Sequence, residues 1–191
     1  MKTLENKNYI ESSIKLFQYY KLLGEKAMEQ IPDPAFSWQF NEASNSVAMI
    51  VKHLSGNMLS RWTDFMTTDG EKDFRDRDAE FENEIITRAE ILKIWERGWV
   101  CLFAALESLK PNDLEKIIYI RNQGHTVLEA INRQLAHYPY HVGQIVFIGK
   151  MTTEATWKSL SVPRNQSKTY NAEKFPQLKS RGHFTDDSLK Q

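Results

Sequence analysis

The chain has 191 residues, of which 41% are hydrophobic and 26% are charged, as in an ordinary globular protein with one domain. Its 25 basic and 25 acidic residues balance, so no long-range field draws it to nucleic acid or to an anionic membrane. The sequence has no apolar secretion signal and no apolar run long enough to span a bilayer. These features predict a cytoplasmic protein that binds neither nucleic acid nor membranes.

Four segments repeat apolar residues at steps of three and four, which is typical of amphipathic helices. The first two are predicted before residue 70: one ends where Pro32 and Pro34 follow its stripe, and the other covers about residues 44–67. Their stripes are Ile10, Ile14, Phe17, Tyr20, Leu23, Ala27 and Ile31 in the first, and Val47, Val51, Leu54, Met58, Trp62 and Phe65 in the second.

The third predicted helix covers about residues 83–109 and stops before Pro111 and Asn112. The fourth opens at residues 126–129, whose Thr-x-x-Glu spacing is that of a capping box, and continues toward Lys150. Their stripes are Ile85, Ala89, Leu92, Trp99, Leu102 and Leu106 in the third, and Leu128, Ile131, Leu135, Val142 and Ile145 in the fourth.

The charged stretch at 67–84 is far longer than a connection between adjacent antiparallel helices, so it is predicted to cross over the fold. The expected architecture is an all-α four-helix bundle with a long crossover between helices 2 and 3. Ile118 and Ile120 alternate before a turn at 122–124, which favours a short hairpin ahead of helix 4. One domain is expected over 1–191, with an irregular C-terminal tail from about 153.

Three of the five histidines are candidates for one divalent-metal site. His137 and His141 are four residues apart on helix 4, so their Cβ atoms lie roughly 6 Å apart on one face. His53 lies in the middle of helix 2, beside the apolar stripe, and is the natural third ligand. Three neutral imidazoles leave a coordination position open for water or substrate, as in catalytic sites.

Other interpretations of these histidines stay open at this point. An H-x-x-x-H pair also occurs on helix surfaces, and a lone interior histidine is more often a hydrogen-bonded core residue. The joint metal site is favoured because the three occupy interior edges of two helices that must meet in a small bundle. His125 follows a glycine turn and His183 lies in the polar tail, so neither is predicted to join them.

Several polar residues flank the histidines at helical spacing. Asn57 and Arg61 follow His53 by one and two turns, and Arg133 and Gln144 flank the histidine pair of helix 4. They are candidates to orient the imidazoles or to bind an anionic substrate beside the metal. Arg61 and Arg133 are equally compatible with solvated surface positions or ion pairs.

Three further residues restrict the possible chemistry. Pro139 lies between the paired histidines and removes a backbone hydrogen bond to Leu135, so a local bend in helix 4 is expected. Tyr138 stands where a zincin H-E-x-x-H motif has its general-base glutamate, which disfavours a metalloprotease. Cys101 is the single cysteine and lies among aromatic and aliphatic residues, so a role in core packing is expected and an internal disulfide is excluded.

The runs VAMIVKHLSGNMLSRWTDF, AHYPYHVGQIVFIGK and WKSLSVPRNQSKTYN resemble the DinB-like metalloproteins, and specifically an uncharacterised branch from Bacillus-type bacteria. The resemblance extends over nearly the whole chain. It implies a four-helix bundle, a homodimer, and a site for zinc, nickel or a similar ion whose ligands match His53, His137 and His141. Relatives include bacillithiol S-transferases and mycothiol-dependent isomerases, so it also implies a thiol cosubstrate. The Tyr138-Pro139 pair departs from the family pattern.

Two functions follow from these observations. The first is a metal-dependent transferase that presents a low-molecular-weight thiol to an electrophile, with a hydrolase using metal-bound water as a variant. The candidates to bind the carboxylates of such a thiol are Arg61, Arg133, Arg164 and Lys168. The second is a non-catalytic, metal-stabilised dimeric binding or stress-response module. An arginine-rimmed cavity above the metal favours the first, and a site sealed by aromatic side chains favours the second.

Overall fold

Four long helices carry most of the chain in the computed structural model, which describes residues 2–83 and 87–190. They are α1 (Lys2–Gln30), α2 (Val47–Trp62), α3 (Arg88–Glu107) and α4 (Val127–Thr153). Helix α1 packs against α4 and α2 against α3, while contacts between α2 and α4 and between α1 and α3 close the bundle. The predicted all-α helical bundle is therefore confirmed.

Helix α2 is shorter than the predicted span of 44–67. The Ser46 hydroxyl accepts a hydrogen bond from the backbone N–H of Met49 and caps its first turn, and the helix ends at Trp62. Phe65 lies beyond the helix end but is still buried, which is why it fits the apolar stripe. The periodic pattern therefore overestimated the length because buried residues continue past the last helical turn.

Helix α3 begins at Arg88, after the capping residue Thr87, rather than near Asn83. Ile85, predicted on its apolar stripe, lies outside the described residues. Ala89 and Leu92 were also placed on that stripe, but both are exposed. Trp99, Leu102 and Leu106 are buried as predicted, and Ile91 and Trp95 complete the buried face in the first turns.

Helix α4 has the predicted start. The Thr126 hydroxyl accepts from the backbone N–H of Glu129, and the Glu129 carboxylate accepts from the backbone N–H of Thr126, which is the reciprocal pattern of a capping box. The helix then runs through Pro139 without interruption and ends at Thr153. The proline therefore leaves His137 and His141 on one continuous helix.

The long connection between α2 and α3 and the hairpin before α4 are both present. This connection, which we still call the crossover, joins two helices that pack directly against each other, so it does not cross the bundle as predicted. The crossover contains a short 3-10 turn, Ala79–Phe81, that packs against α2. The hairpin pairs β1 (Ile117–Ile120) with β2 (Gln123–Thr126) in antiparallel register. Its turn is formed by Arg121 and Asn122, one residue earlier than predicted, and both have positive φ, at 54° and 60°.

One carboxylate joins this hairpin to the crossover. Asp69 accepts hydrogen bonds from the backbone N–H groups of Arg121 and Asn122, each at 2.8 Å. These two N–H groups lie in the turn and lack partners in the strand ladder, so the crossover completes the hairpin. The carboxylate also explains why the turn falls at these residues.

The chain after α4 contains two short helices, α5 (Ser167–Lys174) and α6 (Asp186–Leu189), in addition to irregular segments. Helix α6 contacts α1, where Lys15 forms a salt bridge with Asp186. Within the described ranges, no helix is long and apolar enough to cross a membrane. Cys101 is half-buried and packs against the core, as predicted.

Candidate metal centre

The bundle brings the three predicted histidines to one point between α2 and α4. The Nε2 atom of His137 lies 3.3 Å from Nε2 of His53 and 3.1 Å from Nε2 of His141. Candidate ligand nitrogens of all three lie within 4.8 Å of one another. His53 and His141 are buried and His137 is half-buried, so the cluster has one side toward solvent. We call these three residues the histidine cluster.

An oxygen atom holds the opposite nitrogen of each imidazole. The Nδ1 atom of His53 lies 2.9 Å from a carboxylate oxygen of Glu80. Gln134 Oε1 lies 3.1 Å from Nδ1 of His137, and Gln144 Oε1 lies 2.8 Å from Nδ1 of His141. Oxygen acceptors at Nδ1 fix the tautomer in which Nδ1 carries the proton, which leaves Nε2 with a lone pair.

The donor set therefore fits a divalent ion. The Nε2 lone pair of His137 lies 3.3 Å from that of His53 and 3.1 Å from that of His141, and such lone pairs repel unless a cation lies between them. Two nitrogen ligands on a tetrahedral zinc ion, with Zn–N bonds of about 2.0–2.1 Å, lie roughly 3.3 Å apart. The observed separations of 3.1 and 3.3 Å match that spacing. The cluster could thus hold a metal ion through three imidazoles.

Glu80 reaches His53 from the crossover and is itself held by Arg75. The Arg75 guanidinium donates to both Glu80 oxygens, at 2.7 and 2.9 Å, and its side chain is only 3% exposed. Burial alone would raise the pKa of Glu80, but the hydrogen bonds from His53 and Arg75 and the Arg75 charge lower it overall. Glu80 is therefore a fixed anion that can only accept from His53.

Gly56 makes this contact possible. A Cβ atom at position 56 would lie 2.1 Å from Oε1 of Glu80, so any side chain there would displace the carboxylate. Gly56 lies one turn after His53 on α2, where the 3-10 turn of the crossover packs against the helix. The glycine in the Leu-Ser-Gly-Asn run thus has a steric role beside the histidine cluster.

The surroundings keep the imidazoles of His137 and His141 neutral. Burial, followed by the neighbouring His141 and His53 and the charges of Arg133 and Arg61, lowers the pKa of His137 to about 3. Burial also lowers the pKa of His141, with the hydrogen bond to Gln144 opposing the shift. Neutral imidazole is the form that binds metal, so the site is poised for a ligand near neutral pH.

A cleft of about 540 Å³ opens on the histidine cluster, and we call it the basic cleft. Phe81, Asn45 and Tyr140 line it together with five arginines, which are Arg61, Arg75, Arg77, Arg121 and Arg133. Two carboxylates offset part of this charge: Glu80 binds Arg75, and Glu71 binds Arg61 and Arg121. Arg77 and Arg133 form no ion pair with any described residue, so the cleft is net positive.

Arg61 lines this cleft, and one of its donors has no partner. Its side chain is 6% exposed, and its Nη1 donates to the carbonyl of Gly70 and to Glu71. Its Nε atom is buried and finds no hydrogen-bond partner among the described residues. A buried guanidinium with an unpaired N–H is unfavourable unless a ligand supplies the acceptor.

The other sequence-predicted residues fall into different places. Gln144 contacts His141 as expected for an orienting residue, and Arg133 lines the cleft. Asn57 also lines the cleft, but its carboxamide oxygen accepts from the hydroxyl of Tyr138. Arg164 and Lys168 are exposed on the C-terminal segment and are not among the residues that line the cleft.

His125 and His183 stay outside the cluster, as predicted. His125 pairs with Ile118 in the hairpin, and His183 contacts the Ser12 hydroxyl of α1 at 3.1 Å and Thr185 at 2.7 Å. Sequence reasoning missed the contacts of Glu80 and Gln134. The contact of Gln134 could have been predicted, since Gln134 precedes His137 by three residues on the same helix. The contact of Glu80 could not, because Glu80 lies in a crossover whose path no local pattern indicates.

Comparison with known proteins gives one positive finding. The family model described as "Protein of unknown function (DUF1572)" matches residues 5–166. The chain belongs to this family. The match covers α2, α3 and α4 completely, α1 from its fourth residue on, and both histidine-bearing motifs. No curated protein and no solved structure matches the chain.

Proposed function

We propose that this protein is a divalent-metal-dependent transferase that uses a low-molecular-weight thiol, with His53, His137 and His141 as the metal ligands. One observation carries the proposal: the three Nε2 atoms meet at an open cleft lined by arginines. Structural zinc sites normally have four protein ligands, whereas this cluster offers three among the described residues. The missing ligand position is available to a cosubstrate.

A divalent ion in this site supplies the acidity that lets a coordinating thiol lose its proton near neutral pH. The protein's own residues prepare that position. Glu80, Gln134 and Gln144 fix the imidazoles, so that little reorganisation accompanies binding. Three neutral imidazoles bring no negative charge of their own, and both zinc and nickel accept such a donor set.

The arginines of the basic cleft bind the anionic groups of the thiol cosubstrate in this proposal. Arg61 lines the cleft, and Arg77 and Arg133 bring charges that no described carboxylate neutralises. Guanidinium groups suit carboxylates and phosphates because they form paired, charge-assisted hydrogen bonds. A low-molecular-weight thiol with carboxylates fits this chemistry.

The overall reaction joins the sulfur atom of the thiol to an electrophilic carbon and so forms a thioether. The thiol loses its S–H proton to the medium, and a carbon–sulfur bond forms. The electron pair displaced at the carbon departs with a leaving group or, in an addition, takes up a proton. The three histidines would hold the ion that binds the sulfur end, and the arginines would hold the anionic end of the thiol, so that the two sets of residues position it by proximity and orientation.

The alternatives that the sequence left open are less well supported. A hydrolase needs a general base near the ion, but both carboxylates at the cleft are engaged, Glu80 by Arg75 and His53 and Glu71 by Arg61 and Arg121. A non-catalytic metal staple predicts a sealed site, whereas this cleft is open. A cytoplasmic homodimer of the Bacillus-type DinB-like branch completes the proposal, as the family resemblance implies.

Cobalt substitution tests this function directly. The protein loaded with Co²⁺ is titrated with cysteine, glutathione, coenzyme A and bacillithiol, and the thiolate-to-cobalt charge-transfer band is recorded. The same thiols are then assayed with chlorodinitrobenzene, which releases chloride as the thioether forms. We expect the band and thioether formation above the uncatalysed rate with at least one anionic thiol, and neither the band nor the rate enhancement with His53→Ala. Absence of the band with every thiol would reject thiol coordination.

A further inference from the structure

A second concave surface adjoins the basic cleft, and it has the opposite character. This apolar groove has a volume of about 490 Å³ and shares Asn45 and Tyr140 with the cleft. None of the described residues that line it is charged. Its walls are mainly aromatic and aliphatic, and they include Trp38, Phe40, Phe147, Ile148 and Met151. An arginine-lined compartment and an uncharged one therefore meet at Tyr140.

The groove runs next to the histidine cluster. Gln144 lines the groove, and its carboxamide oxygen holds Nδ1 of His141 at 2.8 Å. Tyr140 precedes His141 on α4, and its ring centroid lies 5.0 Å from that of the imidazole. A molecule in the groove would thus contact Gln144 and Tyr140, the two groove residues that touch His141.

We propose that the apolar groove binds the second substrate, an uncharged and largely apolar electrophile of small-molecule size. This inference rests on the proposed function, since a two-substrate transfer needs two adjoining compartments. The anionic thiol fits the basic cleft and would be poorly accommodated among uncharged aromatic walls. An apolar electrophile is stabilised when its surface is buried in the groove, and the uncharged lining offers no partner to a charged one.

A second copy of the chain is a less suitable occupant. Twelve residues line the groove, whereas a stable interface takes about 20–30 residues from each side. The groove is concave and within the range of small-molecule sites, about 300–1,000 Å³. Phe40 and Phe147 are 71% and 64% exposed, so both remain accessible to a ligand.

Gly143 allows the groove to be filled without disturbing the fold. It lines the groove, and a Cβ atom added there would meet no heavy atom within 4 Å. Leucine is also a better helix former than glycine, so Gly143→Leu should not weaken α4. Phe147→Ser removes an exposed aromatic wall by the opposite change. Ala104→Leu is the matched control, because it adds a leucine to the exposed surface of α3 outside the groove.

The experiment uses phenylnaphthylamine, a neutral apolar probe whose fluorescence rises on burial, with metal-free full-length protein. We expect saturable binding that inorganic phosphate does not displace. Gly143→Leu and Phe147→Ser should each weaken it by about tenfold or more, and Ala104→Leu should leave it unchanged. Sedimentation velocity on the same samples should show one oligomeric state for the parent and both groove variants.

Three outcomes would overturn the inference. The first is no saturable binding of the probe, and the second is binding that neither groove variant weakens. The third is a change of oligomeric state in Gly143→Leu, which would mean that the groove is an interface between copies of the chain. The experiment needs neither metal nor thiol, so its failure is distinct from the failure of the transferase proposal. Probe binding would stand even if the cobalt titration showed no thiol coordination.

Discussion

Between α2 and α4, the histidine cluster lies next to a second polar cluster, made of Tyr138, Asn57 and Trp62. In this tyrosine cluster the Trp62 indole N–H donates to the Tyr138 hydroxyl at 3.1 Å, and that hydroxyl donates to Asn57 Oδ1 at 3.1 Å. In each of these two hydrogen bonds, a donor faces an acceptor. In the histidine cluster, by contrast, three lone pairs face one another.

The difference indicates what each cluster is for. The tyrosine cluster is complete, Tyr138 is fully buried, and burial raises the pKa of its phenol, so it remains neutral and joins the helices. The histidine cluster satisfies every Nδ1 but leaves Nε2 lone pairs that only a proton or a cation can fill. We therefore expect loss of the first to reduce stability and loss of the second to abolish metal binding.

The largest expected effect comes from adding metal to metal-free protein. An ion present at about 1,000 times its Kd stabilises the folded state by about 4 kcal/mol, which raises Tm by roughly 8–16 °C in a chain of this size. Calorimetry with zinc and nickel measures the shift. His137→Ala should lose it and Tyr138→Phe should keep it. An equal shift in His137→Ala would place the ion elsewhere and erase the distinction between the clusters.

A smaller effect is expected when the imidazoles are kept but one is no longer oriented. Glu80→Gln removes the anion that holds Nδ1 of His53, so metal affinity should fall by about 10–100-fold. Competition with a chromogenic chelator measures it. Glu71→Gln is the matched control, because Glu71 binds Arg61 and Arg121 and contacts no histidine. Equal metal affinity in Glu80→Gln and in the parent would show that Glu80 does not contribute to metal binding.

A substitution in the tyrosine cluster should lower the free energy of unfolding and leave metal affinity unchanged. Tyr138→Phe leaves the Trp62 N–H and the Asn57 carbonyl without this partner, which should cost about 1–3 kcal/mol of unfolding free energy. Urea denaturation of the metal-free protein measures that cost. Metal affinity should stay at the parent value. If the variant lost metal as well, the two clusters would form one network rather than two.

The smallest expected effect is a pH dependence of the metal-free fold. The pKa of His137 falls from 6.5 to about 3 on folding, so below pH 6.5 the unfolded chain binds a proton that the folded chain does not. The free energy of unfolding should therefore decrease as the pH is lowered from about 7 to about 5. His137→Asn should flatten this slope. A steeper slope in the variant would contradict the neutral imidazole.

Much of the fold could be predicted because its signals are local. Pro32 ends α1, and Thr126 and Glu129 start α4, as their positions in the sequence indicate. Trp99, Leu102 and Leu106 of α3 were predicted correctly, but Leu92 was not, because the adjacent Ile91 is equally apolar and only packing against α2 decides which of the two is buried. The hairpin turn shifted to Arg121 and Asn122 because Asp69, about fifty residues away, accepts their N–H groups.

The site residues also divide into those that local sequence patterns indicate and those that only the tertiary fold brings to the site. The histidines are recognisable from the spacing of 137 and 141 and from the position of His53 on a helix that must face them. Glu80, Arg75 and Arg77 come from the crossover, whose course depends on tertiary contacts such as the fit of Glu80 against Gly56. Arg121 reaches the cleft through the hairpin. Most of the positive charge of the cleft therefore could not be predicted from the sequence, because its arginines lie on segments that only the tertiary fold brings together.

Metal content tests the central claim most directly. The untagged protein is purified without a metal-affinity column and its bound ions are counted by mass spectrometry, beside His53→Ala and Tyr138→Phe prepared identically. We expect about one divalent ion per chain in the parent and in Tyr138→Phe, and almost none in His53→Ala. A metal-free parent that takes up neither zinc nor nickel would contradict the account, since the histidines would then be ordinary core residues.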